Sequence, residues 1–386
     1  MRLRIYLLAA LTGLAATTFL ASASEASPGV VEVARFDLPV YVASAPENSS
    51  RVFVVEQGGK IRVLERGRLL PRPFLDLTPR VRSGSLRGLL SIAFAPNYRQ
   101  SRRFYVFYSG HGDRIRIEEY RRSRSNQNVA MRSSRRTILV LQLSDFGAGD
   151  APHQGGQLEF GPDGLLYIST GDGSRGFTDS IFTRNARDRR SLFGKILRID
   201  PVNRRRPYGI PRSNPYAGRT PGRGEIFAQG LRNPWRFSFY GSKIFIADAG
   251  EEDREEVDVL SLRRLRGADF GWPRFEGALR LGGGSRRGLT FPALDYPHRH
   301  THECAGAVVG GYVVRDRNVP SLYGRYLYAD YCFQELRSFD PRDPRRTDRL
   351  EVNVKGSYPT SFGHDAKGQI YVAFEGTQLV KLVEFD

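Results

Sequence analysis

Methionine, tryptophan and cysteine each occur only twice in this chain of 386 residues, and lysine only six times. Two cysteines, Cys304 and Cys332, allow at most one intrachain disulfide. Beyond the N-terminal segment there is no second run of about 18 apolar residues, which excludes a chain threaded repeatedly through a bilayer. No long amphipathic helical pattern occurs, no linker separates two domains, and no nucleic-acid-binding module is recognisable. With lysine so rare, the 59 basic residues are nearly all arginine; against 41 acidic residues they leave a net charge of +18. The arginines are scattered rather than clustered along one segment. That distribution argues against a nucleic-acid partner and for a solvated basic surface drawn to anionic envelope polymers.

What is present begins with an export signal. Met1-Arg-Leu-Arg4 is basic, Ile5 to Leu20 is apolar, and Ala21-Ser22-Ala23 fits the small-residue cleavage rule. Residues 1–23 therefore read as a signal peptide, with the folded domain over 30–386 and a secreted or periplasmic location. The rival, an uncleaved anchor, fits less well because Thr and Gly interrupt a segment already short for a span. Export places Cys304 and Cys332 where a disulfide persists, so they are expected to pair rather than remain buried thiols.

Aromatic content of 11% with 41 Gly points to many strands and turns. Six short segments share an aromatic at or near the centre: Arg51-Val-Phe-Val-Val55, Arg103-Phe-Tyr-Val-Phe107, Leu165-Leu-Tyr-Ile-Ser169, Lys243-Ile-Phe-Ile-Ala247, Arg325-Tyr-Leu-Tyr-Ala329 and Gln369-Ile-Tyr-Val-Ala373. Most follow turn residues, as in Pro162-Asp-Gly164, where Pro presets φ and Gly accepts a positive one. Six copies of one strand unit predict an all-β chain, a six-bladed β-propeller with long inter-blade loops near 175–192, 203–224 and 276–300. A pair of β-sandwiches does not predict six similar strands.

Five groups of residues carry the candidate chemistry. His153 precedes a glycine pair, Gly155-Gly156, after Gln154, and the missing Cβ atoms predict close approach of a planar ligand. Glu56, Asp248 and Asp330 fall at one offset after the repeated strand centre, with Asp172 two residues later in its own copy. Such carboxylates either hold a hard cation such as Ca²⁺ or, in most cases, cap turns through backbone N–H groups. Ala247 to Asp258 holds seven acidic residues, read as a Ca²⁺ loop or a solvated charge run. His298, His300 and His302 alternate in a way that offers a minor metal option, a bare loop being the plainer reading. Arg232, beside Asn233, offers a planar fork that can clamp an oxyanion, though a surface arginine is the default in so arginine-rich a chain.

The ordered set Gly88-Leu-Leu-Ser-Ile-Ala-Phe-Ala-Pro-Asn-Tyr98, His153-Gln-Gly-Gly-Gln-Leu-Glu-Phe-Gly-Pro-Asp-Gly164, Leu192-Phe-Gly-Lys-Ile-Leu-Arg-Ile-Asp200, Gly230-Leu-Arg-Asn-Pro-Trp235, Ile246-Ala-Asp-Ala-Gly250, Phe270-Gly-Trp-Pro273, Gly310-Gly-Tyr-Val313 and Ser361-Phe-Gly-His-Asp365 resembles the glucose/sorbosone dehydrogenase family. These are six-bladed propellers that use pyrroloquinoline quinone (PQQ), and the likeness is greatest to the aldose sugar dehydrogenase and hedgehog-interacting-protein-like branch. The resemblance implies His153 as general base toward a sugar C1 hydroxyl, with hydride passing to the quinone. It implies Arg232 beside the quinone oxygens, Gln154, Asn233 and Arg315 on the cofactor, and Gly250, Glu251 and Asp248 near Ca²⁺. The chain departs from the family at Leu86 and Arg87, at Glu251 in place of proline, and around Tyr358-Pro-Thr360, where no arginine clamp is found. Pro152 stands where the glucose dehydrogenases carry Asp, so no carboxylate is expected to orient the imidazole.

Three functions follow from these readings: an exported PQQ-dependent dehydrogenase oxidising aldoses to lactones with an external electron acceptor; a non-catalytic propeller binding an anionic polymer or protein partner; and, more weakly, a Ca²⁺-dependent lactone or ester hydrolase.

Overall fold

Each of the six aromatic-centred segments becomes the second strand of an antiparallel sheet. These strands are Arg51–Glu56, Arg103–Gly110, Leu166–Thr170, Lys243–Asp248, Tyr326–Asp330 and Ile370–Phe374. The structure is a computed structural model and describes residues 27–46, 50–143, 152–175, 183–202, 206–218, 221–299 and 304–385. The expected signal peptide, His300 and His302 lie outside those residues.

The sheets are the blades of a six-bladed propeller. Their inner strands, Pro39–Ser44, Leu89–Phe94, Leu158–Phe160, Pro234–Tyr240, Tyr312–Val313 and Pro359–His364, follow one another round a central axis. The ring is closed by the chain ends: Ser27–Arg35 pairs antiparallel with Gln378–Phe385 and supplies the outer strand of the last blade. Among the described residues no helix is long and apolar enough to cross a membrane.

Packing explains why the repeated strands are apolar on both faces. Successive side chains of a strand point to opposite sides, and each blade is covered by a neighbour on either side. Phe104, Val106 and Tyr108 enter the cluster shared with blade 1, while Tyr105 and Phe107 enter the one shared with blade 3. The same division recurs between every adjacent pair, giving six clusters of buried side chains, one per blade interface. Between blades 4 and 5, Phe245 stacks on Tyr326 with ring centroids 4.6 Å apart. Such a pair contributes about 0.5–1.5 kcal/mol beyond its buried area.

The axis itself is crossed by Arg236 of blade 4. Its guanidinium donates to Val40 O at 2.6 Å, Leu90 O at 3.3 Å and Ser361 Oγ at 2.9 Å, tying together blades 4, 1, 2 and 6. Burial pushes its pKa down to about 10, so it stays charged at neutral pH. Below it, Tyr41, Glu159, Tyr312 and His364 line a chamber of about 450 Å³ at the lower mouth. Burial pushes the Glu159 carboxyl up to about 8. Inner strands run from the upper face, where they begin, to this lower one.

Candidate functional site

The upper ends of blades 3 and 4 bring most of the expected site together. Pro152 to Gln157 leads into the inner strand of blade 3, and His153 is pinned to the turn after the second strand: His153 N donates to Ser174 O at 2.8 Å and Gly173 N to His153 O at 3.2 Å. That pairing sets the imidazole against Asp172. Nδ1 of His153 lies 3.0 Å from Asp172 Oδ1, and Ser174 Oγ lies 3.0 Å from the same nitrogen. The expectation of an unoriented imidazole is overturned: the carboxylate comes from 19 residues along the chain, not from the position before His153.

Asp172 is itself held from every side. Ser174 N and Ser174 Oγ each donate to Oδ1 at 2.8 Å, and Trp272 Nε1 donates to Oδ2 at 2.8 Å. Burial raises its carboxyl, but the His153 ring, Arg232 and the Ser174 N–H outweigh that and leave it below the usual carboxylate range. His153 moves down: burial is the main cause, the Arg232 charge adds to it, and Asp172 only partly opposes them. A neutral imidazole with Nδ1–H donated to Asp172 presents a free lone pair on Nε2.

Arg232 follows the same logic of a fixed side chain with one spare group. Nη1 donates to Ala249 O at 3.1 Å, the guanidinium stands 5.7 Å from the Trp272 ring centroid, and the buried Nε has no hydrogen-bond partner among the described residues. Gln154 accepts from Ser109 Oγ at 2.7 Å through Oε1, while its buried Nε2 has no partner among those residues either. Buried donors are rarely left unmade, so two here mark a place for an acceptor. Asn233 accepts from Gly155 N at 3.0 Å and lines a cleft of about 590 Å³ that also touches Leu86, Ala249, Tyr331 and Thr360. His153 and Arg232 are 7% and 8% exposed and do not line that cleft, which Arg232 borders through its bond to Ala249 O.

The glycine pair serves the fold rather than a ligand. A Cβ on Gly155 (φ 65°) would meet Ser169 O at 2.8 Å, and one on Gly156 (φ 120°) would meet Leu90 at 2.7 Å. Protein, not a planar ring, occupies the space the missing side chains leave.

The acidic set divides by role. Asp248 accepts the Arg232 and Asn233 N–H groups at 2.9 and 2.6 Å, Asp330 accepts those of Cys332 and Phe333, and Glu56 that of Asp37. These are turn caps. The seven-acid stretch is neither a simple loop nor solvated throughout, because Arg254–Ser261 is the third strand of blade 4 with Glu255, Glu256 and Asp258 buried. The turn before it is shaped by Glu276, whose Oε1 accepts the N–H groups of residues 251 to 254 at 2.6–3.0 Å. Gly250 and Glu251 stand on this turn beside Arg232, whose charge acts on the Glu251 carboxyl. Among the described residues no three His, Cys, Asp or Glu side chains converge as a metal cluster. A hard cation at this turn would rely on backbone carbonyls and the Glu251 carboxylate, a donor set that Ca²⁺ accepts.

Arg315 does not join this group. It follows the inner strand of blade 5, which has crossed to the lower face, and its charge acts on Glu159 and His364 there. His298 is not part of a histidine metal site among the described residues: its Nε2 pairs with buried Glu255 at 2.7 Å. Cys304 and Cys332 form a disulfide, Cα–Cα 5.6 Å, at the cleft rim. Around Tyr358 to Thr360 the cleft offers Thr360 O, which accepts from Trp235 Nε1 at 2.8 Å, and no arginine. Sequence reasoning missed Asp172 as partner of His153, and Ser174 and Glu276 altogether. It held Trp272 only within Phe270-Gly-Trp-Pro273 and Glu255 only within the acidic stretch from Ala247 to Asp258, neither with a role at His153.

Comparison with known proteins matches residues 36–377 to the glucose/sorbosone dehydrogenase sequence family. The HIPL2 protein of Arabidopsis thaliana is 30% identical over 74% of this chain and 49% of its own, and human Hedgehog-interacting protein 30% identical over 86% and 48%. The aldose sugar dehydrogenase YliI of Escherichia coli is 28% identical over 66% of this chain and 65% of its own. The chain thus spans about half the length of the first two relatives. In shape it is similar to the apo soluble aldose sugar dehydrogenase of Escherichia coli (TM-score 0.73, 20% identity, 92% of this chain and 99% of that one). The PQQ-bound aldose sugar dehydrogenase of Streptomyces coelicolor gives a TM-score of 0.69 at 20% identity, covering 94% and 99%.

Proposed function

Since the chain belongs to the glucose/sorbosone dehydrogenase family, we propose that it is an exported sugar dehydrogenase that oxidises the C1 hydroxyl of an aldose to the lactone and passes the electrons to an external acceptor. The observation that carries this reading is the buried line Trp272–Asp172–His153, which leaves one imidazole nitrogen aimed away from its carboxylate with a free lone pair. Bound PQQ would supply the hydride acceptor, with Ca²⁺ polarising its carbonyls. The chain's own part is proton transfer and orientation. His153 Nε2 takes the C1 hydroxyl proton, and Asp172 holds the tautomer and stabilises the imidazolium that forms. The unpartnered Nε of Arg232 and Nε2 of Gln154 offer N–H groups to quinone oxygens, and the Gly250–Glu251 turn offers oxygens to the cation.

The test is reconstitution: purified full chain with PQQ and CaCl₂, followed by cofactor absorbance and dye-linked oxidation of a panel of aldoses. The reading expects cofactor binding, bleaching by sugar, and loss of turnover in His153→Ala with cofactor still bound. Full turnover in His153→Ala would remove the base from the mechanism.

A second reading is favoured by one observation: among the described residues, the cleft around Tyr358 to Thr360 is lined by no arginine or lysine that could clamp an anionic cofactor. In it the upper face binds a protein partner, as the name of the Hedgehog-interacting relatives describes for them. It expects no PQQ binding at micromolar cofactor.

A further inference from the structure

On the face opposite His153, at the outer corner between blades 2 and 3, lies a groove of about 850 Å³ lined by Arg102, Arg103, Arg121, Arg124, Arg135 and Arg136. Its position follows from one strand. Ser109, near the upper end of Arg103–Gly110, bonds Gln154 in the site above, whereas Arg103 begins the strand six residues earlier, about 20 Å away at strand rise.

The groove holds more positive charge than the fold neutralises. Glu119 is the one carboxylate lining it among the described residues, and it is already engaged by Arg136 at 2.7 Å, Arg103 at 3.7 Å and the Tyr105 hydroxyl at 2.8 Å. Arg135 reaches out to Glu118. Arg102, Arg121 and Arg124 have no carboxylate partner among the described residues. Arg103 and Arg121 are direct cross-strand partners, an arrangement of like charges that destabilises a sheet. Burial, and then the charges of Arg124, Arg121 and Arg122, depress the Arg102 guanidinium. Glu119 and one further carboxylate cannot offset six guanidinium groups, so the remaining charge calls for an anion from outside the chain.

We propose that this groove binds a linear polymer bearing phosphate or sulfate groups. Guanidinium forks match the paired oxygens of such groups in a bidentate way, and the groove presents several forks side by side, so repeated anionic groups bind together where a single anion would not. The groove lies at the opposite end of the Arg103–Gly110 strand from Ser109, which bonds Gln154, so the inference does not depend on whether the His153 site oxidises sugars. It also gives part of the net charge of +18 a location.

The test uses the full chain and fluorescently labelled long-chain polyphosphate and heparin, followed by anisotropy between about 50 and 200 mM NaCl. Engagement of about three arginines by a flexible polyanion gives a log–log salt slope near 2 and roughly 16-fold weakening over that range. The variant Arg102→Gln/Arg121→Gln/Arg124→Gln should abolish most of that slope. A charge-matched control, Arg263→Gln/Arg264→Gln/Arg287→Gln, on exposed positions elsewhere, should bind as the parent does. If the triple variant fails to fold, the exposed single change Arg124→Gln should still weaken binding severalfold. Binding of polyphosphate alone, or heparin alone, supports the proposal and names the anionic group. The proposal is overturned by no binding to either polymer at low salt, by equal weakening in the control, or by binding confined to phosphatidylglycerol vesicles.

Discussion

Oδ1 of Asp172 stands 3.0 Å from Nδ1 of His153, joining the turn after the second strand of blade 3 to the segment that enters that blade. The contact sets which imidazole nitrogen carries the proton, and every kinetic expectation for the upper site follows from it.

Asp172→Asn keeps the shape but lets the amide donate, which favours the tautomer with its lone pair turned inward. Turnover of the reconstituted enzyme is expected to fall by about 10²–10⁴-fold with sugar KM little changed. A variant that loses sugar affinity instead, at unchanged kcat, would show that Asp172 serves binding.

Burial and Arg232 lower the His153 pKa, and the base works unprotonated. Activity should therefore persist as pH falls through the ordinary histidine range near about 6.5, with the acid limb of kcat/KM below it. An acid limb above about 7 would contradict the neutral imidazole.

Glu255 accepts from Gly250 N and Val308 N through one oxygen and contacts His298 Nε2 at 2.7 Å through the other, linking the 250 turn to blade 5 and the residues beside the disulfide. Burial pushes the His298 imidazole down, but the Glu255 carboxylate outweighs it and leaves it raised. A raised histidine adds stability below its unfolded value and loses it as pH climbs through the folded one. Glu255→Gln should cost about 3 kcal/mol near pH 6 and distinctly less at pH 9, read by denaturant unfolding. Equal losses at both values would mean the backbone bonds alone matter.

Asp258 is fully buried with neither carboxylate oxygen partnered among the described residues, and burial, then Asp248 and Asp295, raise its pKa well above the ordinary value. A raised carboxyl favours the fold at low pH and opposes it increasingly as pH rises. Asp258→Asn should raise Tm at pH 8, by a gain of about 1–3 kcal/mol, and change it little at pH 4. Destabilisation at pH 8 would reveal a partner for the charge.

The amino-acid sequence by itself determined the propeller. Phe53, Tyr105, Tyr167, Phe245, Leu327 and Tyr371 each sit in a strand apolar on both faces, a pattern that stacked blades bury, and its sixfold repetition without helical segments between is local enough to read directly. The Cys304–Cys332 pairing was legible because only one pairing exists. His153, Gln154, Arg232 and Asn233 were legible as residue types beside their turns. Their partners were not, because nothing local joins Trp272 to Asp172 across 100 residues or Glu276 to the 251–254 turn. Packing of blade on blade decided these contacts, strand direction placed Arg315 at the lower mouth, and strand pairing within blade 2 gathered six arginines into one groove. Each depends on which end of a strand a residue occupies and which blade stands next to it, and those are fixed only when the sheets pack around a common axis.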